Sequence, residues 1–291
     1  MTYGEMIAVL KTLNDTQGMR LPALPHCSNL LHQLNKRESG REDLYEQIVN
    51  LYLPTRQVHF DPHNISGYIT EATALVNRYM DFFWPPQNNP FSHQADFISS
   101  IIPEMLCMLF GHIISAHGAP LEVSAQKDLT IECIFDISSG GTIRFKNKRV
   151  DVAVVKPCQL VFNGTDNELP IPLMAIECKT NLDKNMISGI EHSVSELKKT
   201  FPDCHYFVVT EVSDFDVKKS NYASSGIDEM YILRQQKRGP IRRNPEKRKP
   251  INSILVQEIA EILIHNIAAM NADVVGLDTK MQTGKLIGRA L

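Results

Sequence analysis

The sequence predicts an α/β fold: a mixed sheet flanked by helices, preceded by a mostly helical N-terminal region. Two observations carry this. From residue 92 to 270 the hydrophobic patterning reads helix, three strands, strand, helix, strand, strand, helix, an order that packs as a sheet between helices. Before residue 90 the apolar spacing is mostly helical. A chain of 291 residues has ample length to bury such a core.

The elements follow in order. Apolar spacing predicts helices over 3–14, 26–36, 41–51 and 66–82. Leu21-Pro-Ala-Leu-Pro25 is a rigid, non-helical joint. The stretch from Trp84 to Pro90 holds three prolines and two asparagines and is the expected boundary. A helix over 92–116 comes next, with Pro103 either kinking it or opening the first turn of a second helix, and Gly118-Ala-Pro120 ends it. Strands are expected near 129–137, 142–147 and 149–156, with Ser138–Gly141 as a hairpin signal. Residues 163–168 read as a polar loop before a strand over 171–180. An amphipathic helix over 184–200 separates it from strands at 205–210 and 229–233. The periodic apolar residues of 253–269 close the order with a helix, for which completing the core is the default reading.

Composition excludes several classes. Hydrophobic residues make up 43% and charged residues 22%, ordinary for a globular protein. No signal peptide is visible, and no apolar run is expected to cross a bilayer. Six cysteines are scattered without a Cys-x-x-Cys pair. They are expected as buried thiols in a reducing, cytoplasmic setting rather than as disulfides or a zinc site. The net charge is −3, but the stretch Arg234–Lys249 carries eight basic residues and one acidic, a net +7 against −10 elsewhere. One basic segment on an acidic protein points to a localised anionic partner.

The strongest chemical signal is Asp151 on one apolar strand and Glu177-Cys178-Lys179 on another. Residues i and i+2 share a strand face, so Glu177 and Lys179 point together and Cys178 points away. Unpaired charge on a core-flanking strand is costly, so these groups need partners. Two carboxylates with the Cys178 backbone carbonyl suit Mg²⁺, which prefers oxygen ligands and keeps waters. Lys179 beside the metal is placed to orient or help activate water and to offset phosphate charge.

This pattern resembles the PD-(D/E)XK nucleases, with Val150 in the position where the family's name has proline. The resemblance implies a phosphodiesterase that uses Mg²⁺, with Mn²⁺ able to substitute, and leaves 5′-phosphate and 3′-hydroxyl ends. The stretch Glu177-Cys-Lys-Thr-Asn-Leu-Asp-Lys-Asn-Met186 is similar to type II restriction endonucleases of the BbvCI and DdeI kind. Phe97-Ile-Ser-Ser-Ile-Ile-Pro-Glu104 resembles the helix before the sheet in that group, which implies Glu104 as a further catalytic and metal-binding acid. The resemblance covers roughly residues 92–235. It divides the chain into a helical region over 1–90 for recognition or interface, a nuclease core over 91–233, a basic DNA-contacting segment over 234–250, and a helix and tail over 251–291.

Double-stranded DNA is the expected partner. Lys184, Arg238, Arg242, Arg243, Arg248 and Lys249 are the expected DNA contacts. Cutting both strands implies a homodimer, or a heterodimer with a related subunit. Competing readings remain for several residues. Glu104 fits nearly as well an exposed helix residue or a first-turn acid favoured by the helix dipole after Pro103; Asp183 fits better as a helix cap; the basic segment also fits a solvated linker, though DNA contact is preferred. A repair or junction-resolving nuclease, or a catalytically silent DNA-binding protein on the same fold, is the alternative function.

Overall fold

A computed structural model of the chain describes residues 1–14, 24–85, 88–89, 97–136, 142–215, 225–270 and 282. Helices α1 (Tyr3–Asn14), α2 (Pro25–Asn35), α3 (Glu42–Tyr52) and α4 (Ile65–Phe82) open it, within a residue of their expected limits. Pro25 begins α2, where its missing N–H costs no hydrogen bond. Asn64 caps α4, its side chain accepting the Gly67 N–H at 3.0 Å. The long apolar helix is α5 (Ile101–Ala116), entered through a 3-10 turn at Ile98–Ser100, with Pro103 in its first turn. Gly118, at φ 59°, ends it: the Ala119 N–H reaches the Ile114 carbonyl at 3.1 Å and the Gly118 N–H the Ser115 carbonyl at 3.2 Å.

Strands β1 (Glu122–Asp136) and β2 (Thr142–Lys156) form a long antiparallel pair. The two strands expected at 142–147 and 149–156 are one. Lys148 and Arg149 do not break it, because a strand passes its polar side chains to solvent or to partners: Arg149 grips Asp128 across the ladder at 2.7 and 2.9 Å. The expected polar loop is part of a hairpin, β3 (Gln159–Phe162) and β4 (Thr165–Glu168), turned by Asn163 and Gly164 at φ 49° and 74°. Both left-handed positions are what a tight two-residue hairpin requires. The hairpin signal at Ser138–Gly141 lies outside the described residues. The remaining elements are β5 (Ile171–Leu182), α6 (Lys184–Thr200), β6 (His205–Ser213), β7 (Glu229–Ile232), a short α7 (Arg238–Arg243) inside the basic segment, and α8 (Ser253–Met270).

The main sheet has the order β1-β2-β5-β6-β7, antiparallel as far as β5 and parallel from β5 to β7. One face, through Val152, Val154, Ile176, Cys178 and Val209, shares a continuous core with α1–α5 and α8. The other, through Ala153, Val155, Ala175 and Val208, packs against Ile187, Ile190, Val194 and Leu197 of α6. Full burial of each such aliphatic side chain contributes about 1.5–3 kcal/mol. The break after Trp84 therefore ends α4 without dividing the core.

Two helical stretches, Ile98–Ala116 and Ser253–Met270, are long and apolar enough by composition to cross a bilayer, which corrects the sequence expectation. The first is mostly enclosed by protein. The second turns Val256, Ile259, Leu263 and Ile267 inward and exposes Glu258 and Glu261. All six cysteines are free thiols; Cys133 is exposed and Cys158 half-buried, while the other four are buried as expected.

His26, fully buried in the first turn of α2, pairs through Nδ1 with the Phe97 carbonyl at 2.8 Å and through Nε2 with the Tyr79 hydroxyl at 2.7 Å. Burial lowers its pKa from 6.5 to about 3. Between those values the unfolded chain binds a proton that the folded chain refuses. The neutral His26 thus favours folding fully above pH 6.5, and this contribution is lost as pH falls toward 3, by up to about 1.4 kcal/mol per unit. Urea unfolding of wild type and His26→Gln between pH 7 and 5 checks this: wild type is expected to lose stability on acidification more steeply. Parallel curves would refute it.

Candidate active site

The site lies where two strands part. The β2–β5 ladder runs from Lys156↔Ile171 to Val152↔Ile176 and stops. The next opposed positions are Asp151 and Glu177. Beyond them β5 stays paired with β6 alone, from Glu177↔Val208 to Leu182↔Ser213. The Asp151 side chain fills the opening, its Oδ2 accepting the Cys178 N–H at 2.8 Å. A strand residue presents its N–H and C=O to the same side, so the Cys178 carbonyl faces the same gap.

Gln126 on β1 holds the other oxygen, donating from Nε2 to Asp151 Oδ1 at 2.8 Å. It sits at φ 52°, a left-handed backbone that a side chain adopts at a cost. Its position lies opposite Asp151, between the paired positions Ala125↔Val152 and Lys127↔Val150.

Lys179 joins the two carboxylates. Its Nζ is 3.0 Å from Glu177 Oε1 and 3.5 Å from Asp151 Oδ2. Burial opposes its charge, but attraction to Asp151 and Glu177 outweighs this and holds its pKa above the usual lysine value. Lys148 of β2 is a second ammonium, 3.9 Å from Glu177 Oε1. Among the described residues Glu177 Oε2 is buried without a hydrogen bond of normal length, beside the Tyr206 hydroxyl, which is equally unpaired. The neighbours of Glu177 Oε1 are cations, so the Oε2 acceptor is chemically suited to a hard metal ion. Among the described residues no group of three or more His, Cys, Asp or Glu side chains is arranged to hold a metal; the opening offers two carboxylates and a backbone carbonyl.

Glu104 is placed elsewhere, a correction to its expected role. It is 1% exposed. Its Oε2 accepts the backbone N–H groups of His26 and Cys27 at 2.8 and 2.9 Å, and its Oε1 accepts the Tyr52 hydroxyl at 2.5 Å with Arg56 Nε at 3.9 Å. Both oxygens serve the start of α2 and the end of α3, and neither is given to Asp151, Glu177 or Lys179. Asp183 caps α6, accepting the Met186 N–H at 2.9 Å, and Lys184 stands exposed in that helix's first turn.

The basic segment is neither a linker nor uniformly a surface. Arg234 is fully enclosed, bonding Glu211 at 2.7 Å, Asp81 at 3.0 Å and the Lys249 carbonyl at 2.6 Å. Arg248, assigned from sequence to DNA contact, is instead a strut. Its side chain is 7% exposed, pairs with Glu211 and Asp81, and lies 4.1 Å over the Trp84 ring. Burial lowers its pKa to about 10. Glu211, buried on β6, demands these countercharges. Arg242, Arg243 and Lys249 are exposed, and Arg238 is half-buried, 3.8 Å from Asp214. The two struts thus fix the segment's path and turn its remaining cations outward.

Residues 122–251 match the Bpu10I restriction endonuclease family. The matched stretch holds the whole sheet, the site and the basic segment. No curated protein matches the sequence. Among solved structures, the fold is similar to a chain of the native BbvCI A2B2 tetramer, with a TM-score of 0.62 and 22% identity over 85% of this chain and 98% of that one. At that identity the likeness is one of fold, and it reaches beyond the matched residues into the surrounding helices.

Proposed function

We propose that this chain, a type II restriction endonuclease whose residues 122–251 match the Bpu10I family, hydrolyses duplex DNA with Mg²⁺ where β2 and β5 part, leaving 5′-phosphate and 3′-hydroxyl ends. One observation carries the chemistry. The end of the ladder sets Asp151 against Glu177 with one ammonium between them and a buried acceptor, Glu177 Oε2, that has no hydrogen bond of normal length among the described residues. Asp151, Glu177 and the Cys178 carbonyl would hold the metal. Bound there, Mg²⁺ supplies charge to the phosphoryl oxygens and lowers the pKa of its water.

The chain's own residues do the rest. Gln126 and the Cys178 N–H fix the angle of the Asp151 carboxylate. Lys179, held protonated by its two carboxylates, acts as a donor and a positive charge: it orients the attacking water and offsets charge growing on the phosphate. Lys184, Arg238, Arg242, Arg243 and Lys249 would neutralise flanking phosphates. One site cuts one strand, so duplex cleavage calls for a second site, in another copy or in a related subunit; the similar structure is described as an A2B2 tetramer.

Digestion of long duplex DNA with Mg²⁺, followed by sequencing of the ends, tests the reading. Discrete ends at one recurring sequence, lost in EDTA, are expected. Cutting confined to branched or damaged DNA would replace it with repair, and binding without cleavage in Mg²⁺ or Mn²⁺ would leave a silent binding protein.

A further inference from the structure

The far ends of β1 and β2 form an arm. β5 pairs only with residues 152–156 of β2, so residues 142–149 are paired with β1 alone. Consecutive strand residues face opposite ways, yet Ile134 is 45% and Phe135 66% exposed. Both faces of the ribbon therefore meet solvent there. The arm is braced from one side, where Phe135 contacts Phe162 of β3 edge to face at 6.2 Å.

On the other face of the ribbon, along β2, lie Arg144, Lys146 and Lys148. Their i, i+2, i+4 spacing makes one cationic row, and its inner end is Lys148, 3.9 Å from Glu177 Oε1. The row is thus continuous with the site. The seven residue steps from Asp151 to Arg144 span about 24 Å, against about 34 Å for one turn of B-DNA. Lys146 pairs with Glu132 at 3.3 Å, with both side chains at least half exposed, and Glu196 of α6 is a further acid close enough to feel its charge. Such a pair holds its partner weakly and exchanges it readily for phosphate. A two-stranded ribbon also has the dimensions that a DNA groove admits.

We propose that this arm is a DNA clamp, laid along the duplex from the scissile phosphate outward, with Arg144 and Lys146 on successive backbone phosphates. The proposal rests on the reading of the chain as a DNA endonuclease and adds a binding element remote from the basic segment 234–250. It assigns the two basic elements to separate stretches of one duplex.

The test is binding of a 30-base-pair duplex in EDTA, titrated in NaCl, by the full chain, by Arg144→Gln with Lys146→Gln, and by Arg242→Gln with Arg243→Gln. For the arm variant, loss of two phosphate contacts is expected to flatten the slope of log K against log salt by about 2 and to weaken binding at least tenfold in low salt. Cleavage at saturating protein should persist, since neither residue touches the carboxylates. Wild-type affinity and slope in the arm variant, with the segment variant weakened, would overturn the clamp while leaving the endonuclease intact. A fall in sedimentation mass accompanying the weaker binding would also overturn it, making the arm a subunit interface. A wild-type chain that neither binds nor cuts duplex DNA would instead remove the parent reading.

Discussion

Lys179→Ala is expected to lower the rate of DNA cleavage by about 10²–10³-fold or more, the loss typical of removing one group that stabilises transition-state charge, while duplex affinity changes less than threefold. The asymmetry follows from where the ammonium lies. It is 3.0 Å from Glu177 and 3.5 Å from Asp151, inside the opening of the sheet, whereas the cations that would hold DNA lie on the arm and on the segment after β7. Removing it leaves two carboxylates facing each other without their shared countercharge, so metal uptake is expected to hold or improve. Mg²⁺ titration of the variant thus separates loss of catalysis from loss of the ion. Lys179→Arg is not expected to rescue, because a planar guanidinium cannot occupy a position between two single oxygens as a compact ammonium does. Wild-type cutting by Lys179→Ala would sink the catalytic assignment.

The grouping of Asp151, Glu177 and Lys179 in the candidate site was legible because its logic is local. Two-residue periodicity alone puts Glu177 and Lys179 on one face, and the apolar residues flanking Asp151 mark its strand. What sequence does not carry is register. Asp151 meets Glu177 only because the ladder between β2 and β5 ends one pair earlier, and Gln126 reaches Asp151 only through a left-handed turn of β1. Lys148 was masked by the reading of β2 as two strands. The charge run after β7 looked uniform because composition does not say which arginines a buried carboxylate will claim. Glu211, unnoticed among the apolar residues of β6, claims Arg234 and Arg248. The overall order of helices and strands survived these errors, since apolar spacing depends on the core and not on individual charges.

Glu104→Ala is expected to be the most destabilising single change in the N-terminal half, by about 3–5 kcal/mol, because it strips a buried ion pair of one partner. Arg56, whose side chain is 5% exposed, would be left without its carboxylate. The N–H groups of His26 and Cys27 and the Tyr52 hydroxyl would lose their acceptor in the same step. Burial holds the Glu104 pKa above the usual carboxylate value, opposed only in part by Arg56 and these donors. Every partner here is a donor, which suits a carboxyl group as the hub joining α2, α3 and α5. Glu104→Gln keeps one acceptor oxygen but adds a donor among donors, so a smaller loss, about 1–3 kcal/mol, is expected. Urea unfolding of the three proteins reads these differences. Catalysis then separates the hub from a metal ligand. At a temperature where Glu104→Gln is folded, its Mg²⁺ dependence and cleavage rate should match wild type. A variant that folds with wild-type stability yet needs far more Mg²⁺ would return Glu104 to the active site.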